Sequence, residues 1–236
     1  LAIISKFGEK LKHIGQFDRF AGSYENYKII QSKVARHLVS NIKKRGESIL
    51  DLGAGGGEVY KNIDWEIKSY HAVDLSPRML GFHPDTHKIL CDFDSEECWK
   101  RLKNLPVDMV VSSSALQWSR DFDRLCKNIS SLSENVNLAL FTSNTFKTIQ
   151  RITGVPSPIL EKSEILDTVN RYFLINYEIR QYRLFFQNRL DMFRYIKKSG
   201  VSHGVKRLGY KETRELIMSY PYNYLEFEVV FLWSKK

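Results

Sequence analysis

The chain has 236 residues, enough for one sizeable core and few for a second full domain. Hydrophobic residues make up 43% and charged residues 27%, as in an ordinary globular protein, and no apolar run approaches the ~20 residues of a membrane-spanning helix. The formal charge of +9 favours an acidic partner, and the opening LAIISKFGEKLKHIG has too short an apolar start for a signal peptide, so the expected compartment is the cytoplasm.

In chain order, residues 5–15 read as an amphipathic or irregular leader. Ile30, Val34, Leu38 and Ile42 then recur at helical spacing, with Lys43, Lys44 and Arg45 suited to the negative end of that helix and Gly46 to its stop. Ser48–Leu52 is a short apolar strand leading into a glycine-rich turn, after which a helix is expected. SYHAVDL, KILCDF, VDMVVSSS and VNLALFTSN read as further strands, with a helical stretch from Phe122 to Leu132. This alternation across residues 48–144 predicts βαβ units and a parallel sheet. Lys147 to Asn170 reads as irregular. YEIRQYRLFF and YLEFEVVFLW are late strands flanking the helical RLDMFRYIKKSG. The expected organisation is a single domain. Residues 1–45 form an N-terminal helical lid segment, 46–145 a cofactor-binding core, and 146–236 a cap with the closing strands.

Cys91, Cys98 and Cys126 are odd in number and scattered, so three reduced thiols are expected. His71, His83 and His87 are close in sequence, but His83 and His87 flank Pro84 in a loop, and no metal site is expected.

The strongest motif is ILDLGAGGGEV. Gly53 permits the tight turn, Gly55 a close backbone approach to a ligand, and Gly57 close packing of the following helix on the strand. Asp51, two positions before the first of these glycines, would repel a diphosphate but favour a cationic ligand bearing an amino group. Asp74 follows 23 residues later at the end of the second strand, where a carboxylate can grip two ribose hydroxyls. Asp92 and Phe93 end the third strand, where an acid can accept an adenine amino group beside an aromatic wall. Three acids at three successive strand ends face the crevice of an open sheet. After the fourth strand, VVSSSALQW lacks the Asn/Asp-Pro-Pro-aromatic loop of many amino-methylating enzymes. Gln117 and Trp118 offer an amide and a flat apolar wall instead.

These segments resemble motif I, motif II and the adenine-side segment of class I S-adenosylmethionine-dependent methyltransferases. The resemblance implies an α/β, Rossmann-like fold: a seven-stranded, mostly parallel sheet with a reversed last hairpin and a small helical cap. It implies S-adenosylmethionine as cofactor, leaving as S-adenosylhomocysteine, held by Asp51, Gly53, Gly55, Gly57, Asp74, Leu75, Asp92, Phe93 and Ser112. Along nearly its whole length the chain is also similar to the malonyl-acyl-carrier-protein O-methyltransferase family of biotin synthesis. FDRFAGSY, SALQW, LDMFRYIKKSGVSH and YPYNYLEFEVVF carry that likeness, and Lys147–Asn170 does not.

This second resemblance implies methyl transfer to the free carboxylate of malonyl-acyl carrier protein. Tyr24, Gln117, Trp118 and Arg194 are the candidate residues around the acceptor, with His203 structural or peripheral. A carboxylate is ionised at neutral pH and needs no general base. Lys147 to Arg214 holds 14 Lys/Arg against 6 Asp/Glu, which is +8 of the net charge. Arg189, Arg194, Lys197, Lys198, Lys206 and Arg207 would steer the acidic carrier protein. A monomer is expected, with no membrane partner. The alternatives are a methyltransferase for RNA, one for a free small acid of the trans-aconitate type, and a non-catalytic binding module that keeps the fold.

Overall fold

The structure, a computed structural model, describes residues 28–84, 86–198 and 210–235, with the backbone alone at 197, 198 and 210. The expected leader, the FDRFAGSY segment with Tyr24, and His203, Lys206 and Arg207 lie outside these residues.

Seven strands form one sheet in the order β3-β2-β1-β4-β5-β7-β6. β1 (Ser48–Leu52), β2 (Ser69–Asp74), β3 (His87–Leu90), β4 (Met109–Ser113) and β5 (Val136–Phe141) run parallel. β7 (Tyr224–Ser234) is antiparallel to both β5 and β6 (Ile175–Phe185), which is the reversed hairpin expected from the late strands. The order reverses at β1, so the crevice between the loops after β1 and β4 is the ligand position of an open α/β sheet.

Apolar side chains on both sheet faces explain why helices cover both. Leu50, Leu52, Val110, Leu138, Leu140, Val230 and Leu232 pack against α3 (Glu96–Leu102), α4 (Phe122–Ser130) and α6 (Lys162–Asn170). Ile49, Met109, Val111, Ala139, Phe141, Val229 and Phe231 face α1 (Ile29–Ser40), α5 (Lys147–Thr153), α7 (Arg189–Lys198) and α8 (Tyr210–Ser219). Each fully buried aliphatic side chain contributes about 1.5–3 kcal/mol of transfer free energy. Ile30, Val34 and Leu38 of α1 are wholly buried. The helix stops at Ser40, short of the expected Ile42, and a Cβ at Gly46 would lie 2.4 Å from the Cβ of Met109. Gly46 is therefore required for chain approach, whereas the expected stop is supplied earlier, at Asn41, which caps the helix.

Three expectations need correction. The helix expected after the glycine turn is a run of turns ending in one short 3-10 turn, Tyr60–Asn62, because Gly53, Gly55 and Gly57 all hold positive φ and a right-handed helix cannot begin among them. Lys147–Asn170 is not irregular. Its helices α5 and α6 are short and separated by Gly154, Pro156 and Pro158, which hides their periodicity, although Glu161 and Glu164 form a capping box at the start of α6. Cys91 and Cys98 are joined in a disulfide, leaving Cys126 as the free, buried thiol. Cys91 follows β3 and Cys98 opens α3, and the intervening turn brings their Cα atoms to 5.5 Å, within bridging range.

Candidate active site

The glycine turn is anchored before any ligand is considered. The amides of Gly53 and Ala54 both donate to the carbonyl of Val73, at 2.8 and 2.9 Å, which hooks the turn onto the end of β2. Gly53 has φ +74°, and a Cβ there would lie 2.2 Å from the Cβ of Ala115, in the loop after β4. The two loops flanking the crevice thus touch at Gly53. Gly57, at φ +85°, is packed against Pro84 and His83 beyond α2 (Pro77–Phe82), not by a helix of its own as expected.

The three acids do sit at three successive strand ends, each in a different environment. Asp51 is wholly buried, and the Tyr70 hydroxyl donates to its Oδ2 at 2.6 Å. Its Oδ1 has no hydrogen-bond partner among the described residues. Burial, partly offset by the Tyr70 hydrogen bond and reinforced by the Asp74 charge, raises its pKa to about 7. Asp74 is already drawn into the turn: Oδ2 accepts from the Gly55 amide at 2.9 Å and Oδ1 from the Ser76 amide at 2.8 Å. Half-buried Leu75 lies between Asp74 and Ser76.

Asp92 accepts from the Asp94 amide at 2.9 Å and meets the Arg120 guanidinium at 3.4 Å. Phe93 is fixed by its carbonyl, which accepts from the Trp99 indole at 2.7 Å, and its ring edge lies 3.9 Å from the Cβ position at Gly53. The adenine-side segment and the glycine turn are therefore neighbours.

The loop after β4 is tightly turned. Ser114 adopts φ +63°, an uncommon conformation for a residue with a Cβ, and its amide donates to Ala139 on β5. Gln117 is buried and its Nε2 donates to the Ser114 carbonyl at 2.8 Å, while its Oε1 has no partner among the described residues. One N–H of the amide expected to hold the acceptor thus braces the turn. Trp118 is half-buried at the end of the 3-10 turn Leu116–Trp118. Ser112 is fully buried and donates to the Leu52 carbonyl at 2.6 Å, which ties β4 to the end of β1.

Arg194 is exposed on α7 and paired with Asp191 one turn earlier at 2.9 Å, so it is not brought to the crevice residues. His71 stacks on His87 at 5.2 Å, whereas His83 packs on Tyr60 and Tyr70.

Sequence reading missed four features. Tyr70 holds Asp51. Asp94 is a buried carboxylate accepting from Ser119 Oγ at 2.6 Å and from the backbone and Nε of Arg120 at 3.2 Å, which pins the loop after β3 to the loop after β4. Ser113 and Ser114 hold buried hydroxyls without partners among the described residues. The signal for Tyr70 was available: it lies four residues before Asp74, on the same face of β2. For Asp94, with partners 25 and 26 residues away, there was none.

The site fits a cofactor with a cationic centre and an adenosine group. An unpartnered buried carboxylate oxygen, a positive-φ glycine cradle and a half-exposed acid with an aromatic neighbour are the donor set it needs. The methyltransferase-domain family matches residues 24–182. Among curated relatives, proteins named malonyl-[acyl-carrier protein] O-methyltransferase from Calditerrivibrio nitroreducens and Neorickettsia risticii are 26% and 23% identical. The first alignment covers 79% of this chain and 78% of the relative, and the second covers 91% and 92%. Among solved structures, a SAM-dependent methyltransferase from Thermotoga maritima aligns with TM-score 0.55 at 16% identity, covering 95% of this chain and all of that one. A methyltransferase from an antibiotic biosynthesis pathway of Anabaena variabilis aligns with TM-score 0.59 at 12% identity, covering 87% and 100%. With the sheet order, the glycine turn and the family match in agreement, the chain belongs to the methyltransferase-domain family and is a class I S-adenosylmethionine-dependent methyltransferase.

Proposed function

We propose that the acceptor is the free carboxylate of a malonyl group on an acyl carrier protein, giving the methyl ester used in biotin synthesis. The observation that carries this reading is the chemistry after β4. From Val110 to Trp118 the chain offers hydroxyls, an amide and an indole but no ionisable side chain. An alcohol or ammonium acceptor would need a base there. A carboxylate, with a reference pKa of about 4, arrives as a nucleophile. The names of the curated relatives support the same acceptor.

S-adenosylmethionine, when bound, supplies an electrophilic methyl on a sulfonium. Asp51, Gly53, Gly55, Gly57, Asp74, Leu75, Asp92 and Phe93 hold it. The Ser113 and Ser114 hydroxyls donate to the acceptor carboxylate, and Trp118 walls it from water. Tyr24, which lies outside the described residues, is a further candidate for holding the acceptor. Gln117 and Ser112 act from beneath by fixing the loop. Orientation and water exclusion supply the rate enhancement, because no proton needs to move. The basic surface meets the carrier protein at some distance, with Arg183, Arg189, Lys211 and Arg214 exposed alongside Arg194.

The test is mass-spectrometric turnover with S-adenosylmethionine and malonyl-acyl carrier protein, run beside succinyl-carrier, malonyl-CoA, trans-aconitate and bulk tRNA. One methyl added fastest to the malonyl carrier is the expected result. Preference for a free acid or for tRNA would overturn the acceptor assignment and leave the family assignment intact.

A further inference from the structure

We propose that Tyr70 is a positioning residue for methyl-donor binding: its hydroxyl holds the Asp51 carboxyl by one oxygen, the other is left to a cationic group, and Asp51 gives up a proton as the donor binds. This concerns the donor alone and is independent of the acceptor reading.

The geometry is specific. Asp51 is on β1, two residues before the turn at Gly53, and no part of it reaches solvent. Tyr70 on β2 is also buried and donates to Oδ2 at 2.6 Å. Tyr70 is itself braced, edge-on against Tyr60 at 4.9 Å and tilted against His83 at 5.8 Å. It cannot swing away to follow solvent. Oδ1 has no partner. A buried acceptor left unsatisfied costs about 1–3 kcal/mol, and a native site that tolerates this is a candidate for a ligand group.

Among the described residues the groups facing Asp51 are few. β2 contributes Tyr70 and the like charge of Asp74. β4 brings apolar Val111 in register, and α1 contributes Ala35 and Val39 to the same cluster. Behind Tyr70 stand the Tyr60 phenol and His83, whose burial lowers its pKa and keeps it neutral. No cation among these balances an ionised Asp51. Burial therefore raises its pKa to about 7 against the lowering Tyr70 hydrogen bond, with Asp74 adding to the rise. A cation arriving at Oδ1 reverses the balance, and the proton passes to the buffer.

The test is isothermal titration of S-adenosylmethionine into the full chain at pH 7, in two buffers of different ionisation enthalpy. Release of about half a proton per donor bound is expected from a group half-ionised at that pH. Below pH 6 the dissociation constant should rise about tenfold per pH unit. The donor's own α-amino group titrates near ~8, so Asp51→Asn sets the baseline and should abolish the release. Tyr70→Phe removes the donor that favours the carboxylate. It should move the pH profile upward and weaken binding at pH 7 by about tenfold. Absence of proton release in the unsubstituted chain, or release that persists in Asp51→Asn, would overturn the proposal. A Tyr70→Phe chain that is less stable but keeps the parent pH profile would reduce Tyr70 to a packing role. Circular dichroism and thermal melts confirm that each variant is folded.

Discussion

Gly53 and Ala115 stand so close that a methyl group on the first would overlap the methyl of the second, at 2.2 Å. One belongs to the glycine turn after β1 and the other to the loop after β4, so any bulk between them displaces both. Gly53→Ala also places a Cβ at φ +74°. A stability loss of roughly 2 kcal/mol or more is expected, with S-adenosylmethionine affinity down at least tenfold. The double variant with Ala115→Gly should recover the steric part and not the backbone part. Chemical denaturation and calorimetry separate the two.

Asp94 is the next point of leverage. Its side chain is 1% exposed and gathers Ser119 and Arg120 from the far side of the crevice. Asp94→Ala removes the acceptor of Ser119 Oγ and of the Arg120 backbone and Nε, leaving Arg120 to Asp92, and a loss of about 3 kcal/mol is expected by urea unfolding. Arg120 is 31% exposed, so Arg120→Ala should cost less, because water reaches what remains. Both substitutions should raise the KM for S-adenosylmethionine.

The raised pKa of Asp51 makes a signed prediction about stability. Its unfolded value is near 3.8 and its folded value about 7, so between these pH values the folded chain binds the extra proton. Stability from this group is therefore fully present below about pH 4 and is lost as pH rises through 7, by about 3 kcal/mol between pH 5 and pH 8. Glu58 and Glu228 are shifted downward and act in the opposite sense at lower pH. The informative quantity is the difference between the parent chain and Asp51→Asn, both without cofactor. That difference should shrink towards zero at acid pH, grow in favour of the variant as pH rises to 7, and level off above it. Thermal melts across pH 5–8 would check it.

Gln117→Ala should show bracing rather than chemistry. Losing the hydrogen bond to the Ser114 carbonyl relaxes a turn held at φ +63°. The stability loss should be about 1 kcal/mol, with kcat reduced and the dissociation constant for S-adenosylmethionine nearly unchanged. Steady-state kinetics beside direct binding would distinguish this from a role in holding the cofactor.

The cofactor half of the site was legible in sequence because its logic is local. Asp51, Asp74 and Asp92 each end a strand, and strand ends follow from apolar runs and glycine. The acceptor half was less legible. Gln117 was read as a free amide because nothing local says that its nitrogen turns back onto Ser114. Arg194 was read as a substrate clamp, yet Asp191, three residues away on the same helix, already takes it. Asp94 and Arg120 meet across 26 residues, and no periodicity records such a meeting. The Cys91–Cys98 pair escaped because an odd cysteine count speaks for the whole chain and not for one seven-residue turn.

The position of β7 has a consequence for how the protein is made. It is the last strand in the chain, yet it lies between β5 and β6 and pairs with both. While the polypeptide emerges from the ribosome, β5 and the eleven residues of β6 have no partner in the hairpin until Tyr224–Ser234 has left the exit tunnel. The nascent chain exposes two adhesive edges during that interval, which is the period in which a chaperone would shield it. A premature stop before Tyr224 would release a chain fixed in that state, prone to aggregate, with the cofactor motifs intact in sequence but no closed sheet to hold them.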